Sequence, residues 1–188
     1  MKNYTHSLTV LTLTVLLAAC GGGSEAPAPT TPTGATLPSD FASTQECMVG
    51  RWLLTADQAQ RAITAASLPA FVSIATTGQA IVDIRANGTY TYTPSFTINM
   101  NASGERATGN TAGSVTGTWR VSSDVLTTAE TSNNITSTVS GSFGTISVPV
   151  SGGFGAGTSR ILSCQPMTLS YEVGGAMPFT QTLVLSAR

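Results

Sequence analysis

The chain has almost no lysine or histidine. Lys2 is the single lysine and His6 the single histidine, and both fall in a leader that is expected to be removed. The mature chain then offers no Ser–His pair, no Schiff-base lysine and no imidazole for a metal. Cysteine is nearly as scarce: there are three in 188 residues. Cys20 stands at the end of the leader, so only Cys47 and Cys164 remain in the body of the chain. An even pair in an oxidising compartment reads as one disulfide, with two buried free thiols as the alternative. Charge is thin as well, at 9% of residues. Without the leader, seven arginines face nine acids. That balance gives no basic footprint for nucleic acid and little long-range steering. Asp57, Asp83, Glu105, Asp124, Glu130 and Glu172 are the carboxylates well within the body, and nothing in their spacing pairs two of them as acid and base. Solvated strand-face charge is the plainer reading of each. The expectation is a protein that is not an enzyme, with no catalytic residue, no metal site and no cofactor.

Long apolar runs are also missing, apart from residues 8–19. That run is too short for the roughly 20 residues of a membrane-spanning helix, and after Lys2 it reads as a secretion signal. Leu17-Ala18-Ala19-Cys20 resembles the lipobox of bacterial lipoproteins. The resemblance implies cleavage of residues 1–19 and lipidation of Cys20 with fatty-acyl chains such as palmitate, several of which anchor a chain stably. Gly21 follows the cysteine where an inner-membrane retention aspartate would stand. In a diderm bacterium that implies the outer membrane, and in a monoderm the outer face of the plasma membrane. Residues 20–40 are Gly, Ser, Ala, Thr and Pro with almost no large apolar side chain. Such a segment is a tether, reaching about 25 Å as a coil or about 60 Å extended.

Residues 41–188 contain 23 threonines with frequent Gly and Ser, a composition that says β. Residues 89–101 alternate without a break: Tyr90, Tyr92, Pro94, Phe96, Ile98 and Met100 on one side, hydroxyls and amides on the other. At about 3.3 Å per residue this strand is long enough to require a bend, placed near Pro94. The preceding strand carries Val82 and Ile84. A three-residue loop, Ala86-Asn87-Gly88, sets Ile84 opposite Tyr90 and Val82 opposite Tyr92 and so keeps one apolar face, with Gly88 left-handed. A strand is expected at residues 47–54. A helix is expected at 56–67, where Thr55 and Gln58 form a capping-box pattern and Pro69 stops it. Residues 107–121 alternate again, with inward glycines that imply coiling or close packing under large neighbours. Gly144 reads as a bulge or corner. About nine strands result. The predicted class is all-β, an antiparallel meander barrel of about 8–10 strands with one short helix after the first strand, closed so that no edges are exposed.

Gly50-Arg51-Trp52, Asn87-Gly88-Thr89-Tyr90, Gly117-Thr118-Trp119-Arg120 and the final Thr182-Leu183-Val184-Leu185-Ser186-Ala187-Arg188 are similar to motifs of bacterial lipocalin-like domains, within the calycins. The resemblance implies that Trp52 packs at the closed barrel end beneath Arg188. It also implies a small apolar or amphipathic ligand lined by Tyr90, Tyr92, Phe96, Ile98, Met100, Val115 and Trp119. The same residues could instead be a filled core. A second expectation is a non-catalytic module that binds or inhibits an envelope protein or braces the envelope. Phe154, on the glycine loop at residues 151–157, then either anchors in a partner or folds back as a plug. A membrane-spanning barrel is the least favoured, because the chain ends without a terminal aromatic.

Overall fold

The computed structural model describes residues 43–65, 71–102, 104–142, 144–149, 154, 157–173 and 179–187. Residues 1–42, which include the expected leader, Cys20 and the expected tether, lie outside the described residues, as does Arg188. Two helices, α1 (Thr44–Met48) and α2 (Ala56–Ala65), accompany eleven strand segments. These are β1 (Gly50–Thr55), β2 (Val72–Ile84), β3 (Thr89–Ala102), β4 (Glu105–Ala112), β5 (Val115–Ser122), β6 (Val125–Asn133), β7 (Thr136–Gly141), β8 (Gly144–Pro149), β9 (Gly157–Cys164), β10 (Thr168–Val173) and β11 (Phe179–Ala187). Eight of them close an antiparallel barrel in the order β1, β2, β3, β5, β6, β9, β10, β11, with β11 returning to β1.

The hairpin deduced from the sequence is the one that forms. Ile84 pairs with Tyr90 and Val82 with Tyr92, and the register continues unbroken to Val72 opposite Ala102. Gly88 takes φ +79°, which costs little only for a residue without Cβ. The Asn87 Oδ1 accepts from the Thr89 N–H at 3.1 Å and from the Thr89 hydroxyl at 2.7 Å. An asparagine therefore fixes the loop that the register requires.

The number of segments exceeds the expected nine because long strands are broken at one corner. β5 pairs with β3 through Tyr92 opposite Val115, and β4 pairs with β3 through Phe96 opposite Thr111. Both pairs share one register, so β4 and β5 are a single strand interrupted where Pro94 faces Gly113. Proline has no N–H to give a ladder, and Gly113 takes φ +109°. A Cβ on Gly113 would sit 2.9 Å from the Ile135 Cα, so the corner admits no side chain there. Asn134 secures it: the side-chain Oδ1 accepts from the Ser114 N–H at 2.6 Å, and the Asn134 N–H donates to the Ser114 carbonyl at 3.0 Å. β6 and β7 keep a common register on β5 and β4 in the same way, apart from a bulge at Thr116/Gly117. Beyond the corner, β4, β7, β8 and the distal halves of β2 and β3 form a five-stranded apron that extends the barrel wall. Its wet face is a hydroxyl and amide ladder, with Thr97 donating to Asn110 at 2.9 Å and Thr108 to Asn99 at 3.0 Å.

One element corrects the sequence reading. The expected strand over residues 47–54 starts only at Gly50, because Thr44–Met48 is helical. Ser43 caps this helix, its hydroxyl accepting from the Glu46 N–H at 3.2 Å; Ser43-x-x-Glu46 is a capping signature in plain view. The turn brings Cys47 to Cys164, with 6.1 Å between Cα atoms, and points the Met48 carbonyl at the Trp52 indole, which donates to it at 2.7 Å. α1, the disulfide and the fully buried Trp52 close one end of the barrel. α2 starts as expected, with the Thr55 N–H donating to Gln58 Oε1 at 3.1 Å; residues 66 and 67 of the expected helix lie outside the described residues. β1 pairs with β2 only from Gln79 onward. Beside the distal half of β2, the Gln60 amide donates to the Ile74 carbonyl at 2.9 Å, which caps a stretch of edge that has no β1 partner.

The disulfide closes a loop with a sequence separation of 117, which constrains the unfolded chain strongly. The Cys47→Ser/Cys164→Ser variant is expected to lose about 2–5 kcal/mol. The measurement is a urea-denaturation midpoint compared with that of the oxidised chain, and with the reduced chain as a second reference.

Candidate functional site

The apolar inner face of β3 points into the barrel as far as the corner. Tyr90, Tyr92, Val115 and Trp119 are all buried inside it. Phe96 is buried as well, but it lies past the corner on the apron. Ile98 and Met100, further along, are only half-buried. The seven residues proposed to line a ligand thus divide into four on barrel strands and three on the apron. The Trp119 indole donates to the Arg85 carbonyl at 3.0 Å, and the Gly88 carbonyl accepts from the Trp119 N–H at 2.8 Å. Trp119 is therefore tied to the hairpin loop rather than to the middle of the barrel.

Tyr90 occupies the middle. It is fully buried. Its ring lies over Gly117, where a Cβ would stand 2.5 Å from Tyr90 Cε1. The inward glycine exists to admit this ring, as the pattern of residues 107–121 implied. Gly117 pairs with Tyr90 on one side and with Glu130 on the other. Cross-strand partners share a face, so Glu130 stands on the same inner surface, next but one to the phenol. The Tyr90 hydroxyl is buried and has no hydrogen-bond partner. Burial first, and the Glu130 carboxylate second, push the phenol from an ordinary 10.0 to about 12.

Phe154 completes the cluster. It is 4% exposed, with its ring edge-on to Tyr90 at 5.1 Å and to Tyr171 at 5.9 Å between centroids. Of the two placements open to it, the structure takes the plug: this phenylalanine is not displayed to a partner, because two aromatic walls offer it more contact than solvent does. Tyr171 donates through its hydroxyl to Gln181 Oε1 at 2.6 Å. Two tyrosines thus flank one phenylalanine, one with its hydroxyl satisfied and one without.

Glu130 and Tyr171 were absent from the residues assigned to a site. Tyr171 follows Leu169 at period two on β10, a signal that places both on one buried face. Glu130 follows Leu126 and Thr128 at period two, but Val125 and Leu126 compete as the inward residue, and a bulge on β6 shifts the phase. Trp52 is fully buried, and Arg188, which the resemblance sets over it, lies outside the described residues. Among the described residues no group of three or more His, Cys, Asp or Glu could hold a metal, and no helix is long and apolar enough to cross a membrane. The chain matches no protein-family model, no curated protein and no solved structure.

The Tyr90 environment makes stability depend on alkaline pH. Below pH 10 the phenol is protonated in both folded and unfolded chains, so its contribution is fully present. As pH rises from 10.0 towards 12 the unfolded chain releases a proton that folded Tyr90 retains. Stability should therefore fall by up to about 3 kcal/mol across that window. Urea titrations between pH 9 and 12 are expected to show this fall, and the Tyr90→Phe variant to show a shallower one.

Proposed function

We propose that this chain is a lipid-anchored extracytoplasmic binding protein that holds a small apolar or amphipathic ligand within its barrel. The buried, unpartnered hydroxyl of Tyr90 carries the reading. A polar group closed off from water without a partner is unfavourable by about 1–3 kcal/mol, and a ligand head group supplies the missing bond. The apolar bodies of Tyr90, Tyr92, Val115 and Phe96 then solvate the tail, as in other concave sites with few polar groups. Anchoring follows from the leader and Cys20, and the tether lets the barrel stand away from the bilayer.

A second reading is favoured by one observation. Phe154 already fills the space between Tyr90 and Tyr171, and a barrel packed by its own side chains works through protein contacts at the envelope or as a brace. In that reading the exposed apolar side chains, Phe71 at 58% and Met167 at 59%, are the contact points.

Native mass spectrometry of the full chain carrying Cys20→Ser, purified from an oxidising compartment without detergent, separates the two. A stoichiometric lipid-like adduct is expected, together with a loss of two hydrogens for the disulfide. Tyr92→Trp, which fills the interior, is expected to reduce uptake at least about tenfold. A clean apo mass with no uptake of offered amphipaths would favour the packed-core reading. For the anchor, fractionation of cells expressing the unmodified chain should place it with membranes, and labelled palmitate should be incorporated into that chain but not into Cys20→Ser.

A further inference from the structure

The inner surface carries two polar groups that do not bond to each other. Tyr90 and Glu130 both flank Gly117 across the sheet, and the residue between them contributes no side chain. The phenol is the more deeply placed, fully buried and unpartnered. Glu130 is half-buried, and its carboxylate accepts from the Asn133 side-chain amide at 3.4 Å, which leaves lone pairs to spare. An atom held between them must accept from, or donate to, a phenol and must donate to a carboxylate.

The distribution of positive charge sharpens this. Arg51, Arg61, Arg85, Arg106 and Arg120 are exposed, on the outside of the wall or on α2. Arg160 lies beside Asp124 at the closed end, with Nε 3.1 Å from Oδ2. Among the described residues no arginine joins Tyr90 on the inner face, and the sequence has no lysine beyond Lys2. A carboxylate head entering this barrel would meet a second carboxylate, with no cation among the described residues of the inner face to offset the repulsion or the desolvation.

Resting on the binding reading above, we infer that the Tyr90–Gly117–Glu130 row is a head-group site for amphipaths whose polar end donates a hydrogen bond and carries no negative charge. Alcohols and amines are the ligand class, and free fatty acids are rejected. An alcohol oxygen accepts from the Tyr90 hydroxyl while its own O–H donates a hydrogen bond to Glu130. An ammonium group donates to both. Phe154 and Tyr171 border the same row and supply apolar contact beside the head.

The test uses 1-decanol, decylamine and decanoate as probes, titrated against the full chain carrying Cys20→Ser at pH 8, where decanoate is ionised. Decanol and decylamine are expected to bind at least about tenfold tighter than decanoate. An apolar barrel by itself also disfavours an anion, so the deciding readout is Glu130→Gln. This variant is expected to raise decanoate affinity about tenfold and lower that of decylamine, while decanol changes by less than about threefold. Tyr90→Phe, which keeps the ring over Gly117, is expected to weaken decanol about five- to tenfold, the equivalent of one hydrogen bond. Decanoate binding as tightly as decanol, or discrimination unchanged by Glu130→Gln in a variant with an unaltered denaturation midpoint, would overturn the inference and leave the binding reading standing. Failure of all three probes to bind would overturn both.

Discussion

The register of the β2–β3 hairpin is the constraint from which the rest follows. Side chains alternate across a strand with a period of two, so a slip of one residue would carry Tyr90, Tyr92 and Phe96 from the core to water. Asn87 and Gly88 prevent it locally, and the unbroken pairing from Val72 to Ile84 along β3 repeats the same choice at every step. Once β3 is fixed, β4 and β5 inherit their phase from it, and β6 and β7 inherit theirs in turn. A local turn preference is thereby converted into the alignment of most of the sheet.

The corner at Pro94 and Gly113 divides this sheet into two regions. On one side the wall curls and closes, burying Trp52, Tyr90, Leu169 and Leu183 completely. On the other it runs on as an apron whose inner face is only partly covered and whose outer face is held by side-chain ladders such as Thr97–Asn110. Proline and glycine suit this place for complementary reasons. The proline cannot donate to a ladder, and the glycine lies where neighbouring backbone leaves no room for a Cβ.

Inside the barrel, packing and polarity act on the same residue. Gly117 makes room for the Tyr90 ring, and that close fit takes the hydroxyl out of water. The gain is apolar contact with Gly117 and Phe154; the opposing term is a phenol without a hydrogen-bond partner beside a carboxylate. Natural cores seldom leave such groups unmatched, and a buried hydroxyl without a partner beside the Phe154 ring is a reason to look for a ligand there.

Much of this molecule was legible in the sequence where the deciding forces are local. Alternation in residues 89–101 gave the organising strand, face consistency gave the loop register, the capping pattern at Thr55 and Gln58 gave the start of α2, and glycines on an inward face announced a large neighbour. The closed eight-stranded wall is compatible with the calycin-like barrel that the motifs suggested. α1 is hidden in the sequence because the apolar residues 47–54 read as one strand, and only Ser43-x-x-Glu46 signals the cap. Other features depend on residues far apart in the chain and could not be read from periodicity. The meeting of Phe154 with Tyr90 and Tyr171, the unpartnered Tyr90 hydroxyl, and the approach of Glu130 through a bulge arise only when β3, β5, β6 and β10 close around one axis. The sequence by itself determined which side chains face in, because a strand has only two faces. The tertiary structure alone decided which of those inward groups meet and which are left without a partner, because that depends on closure, register between distant strands and the space each neighbour leaves.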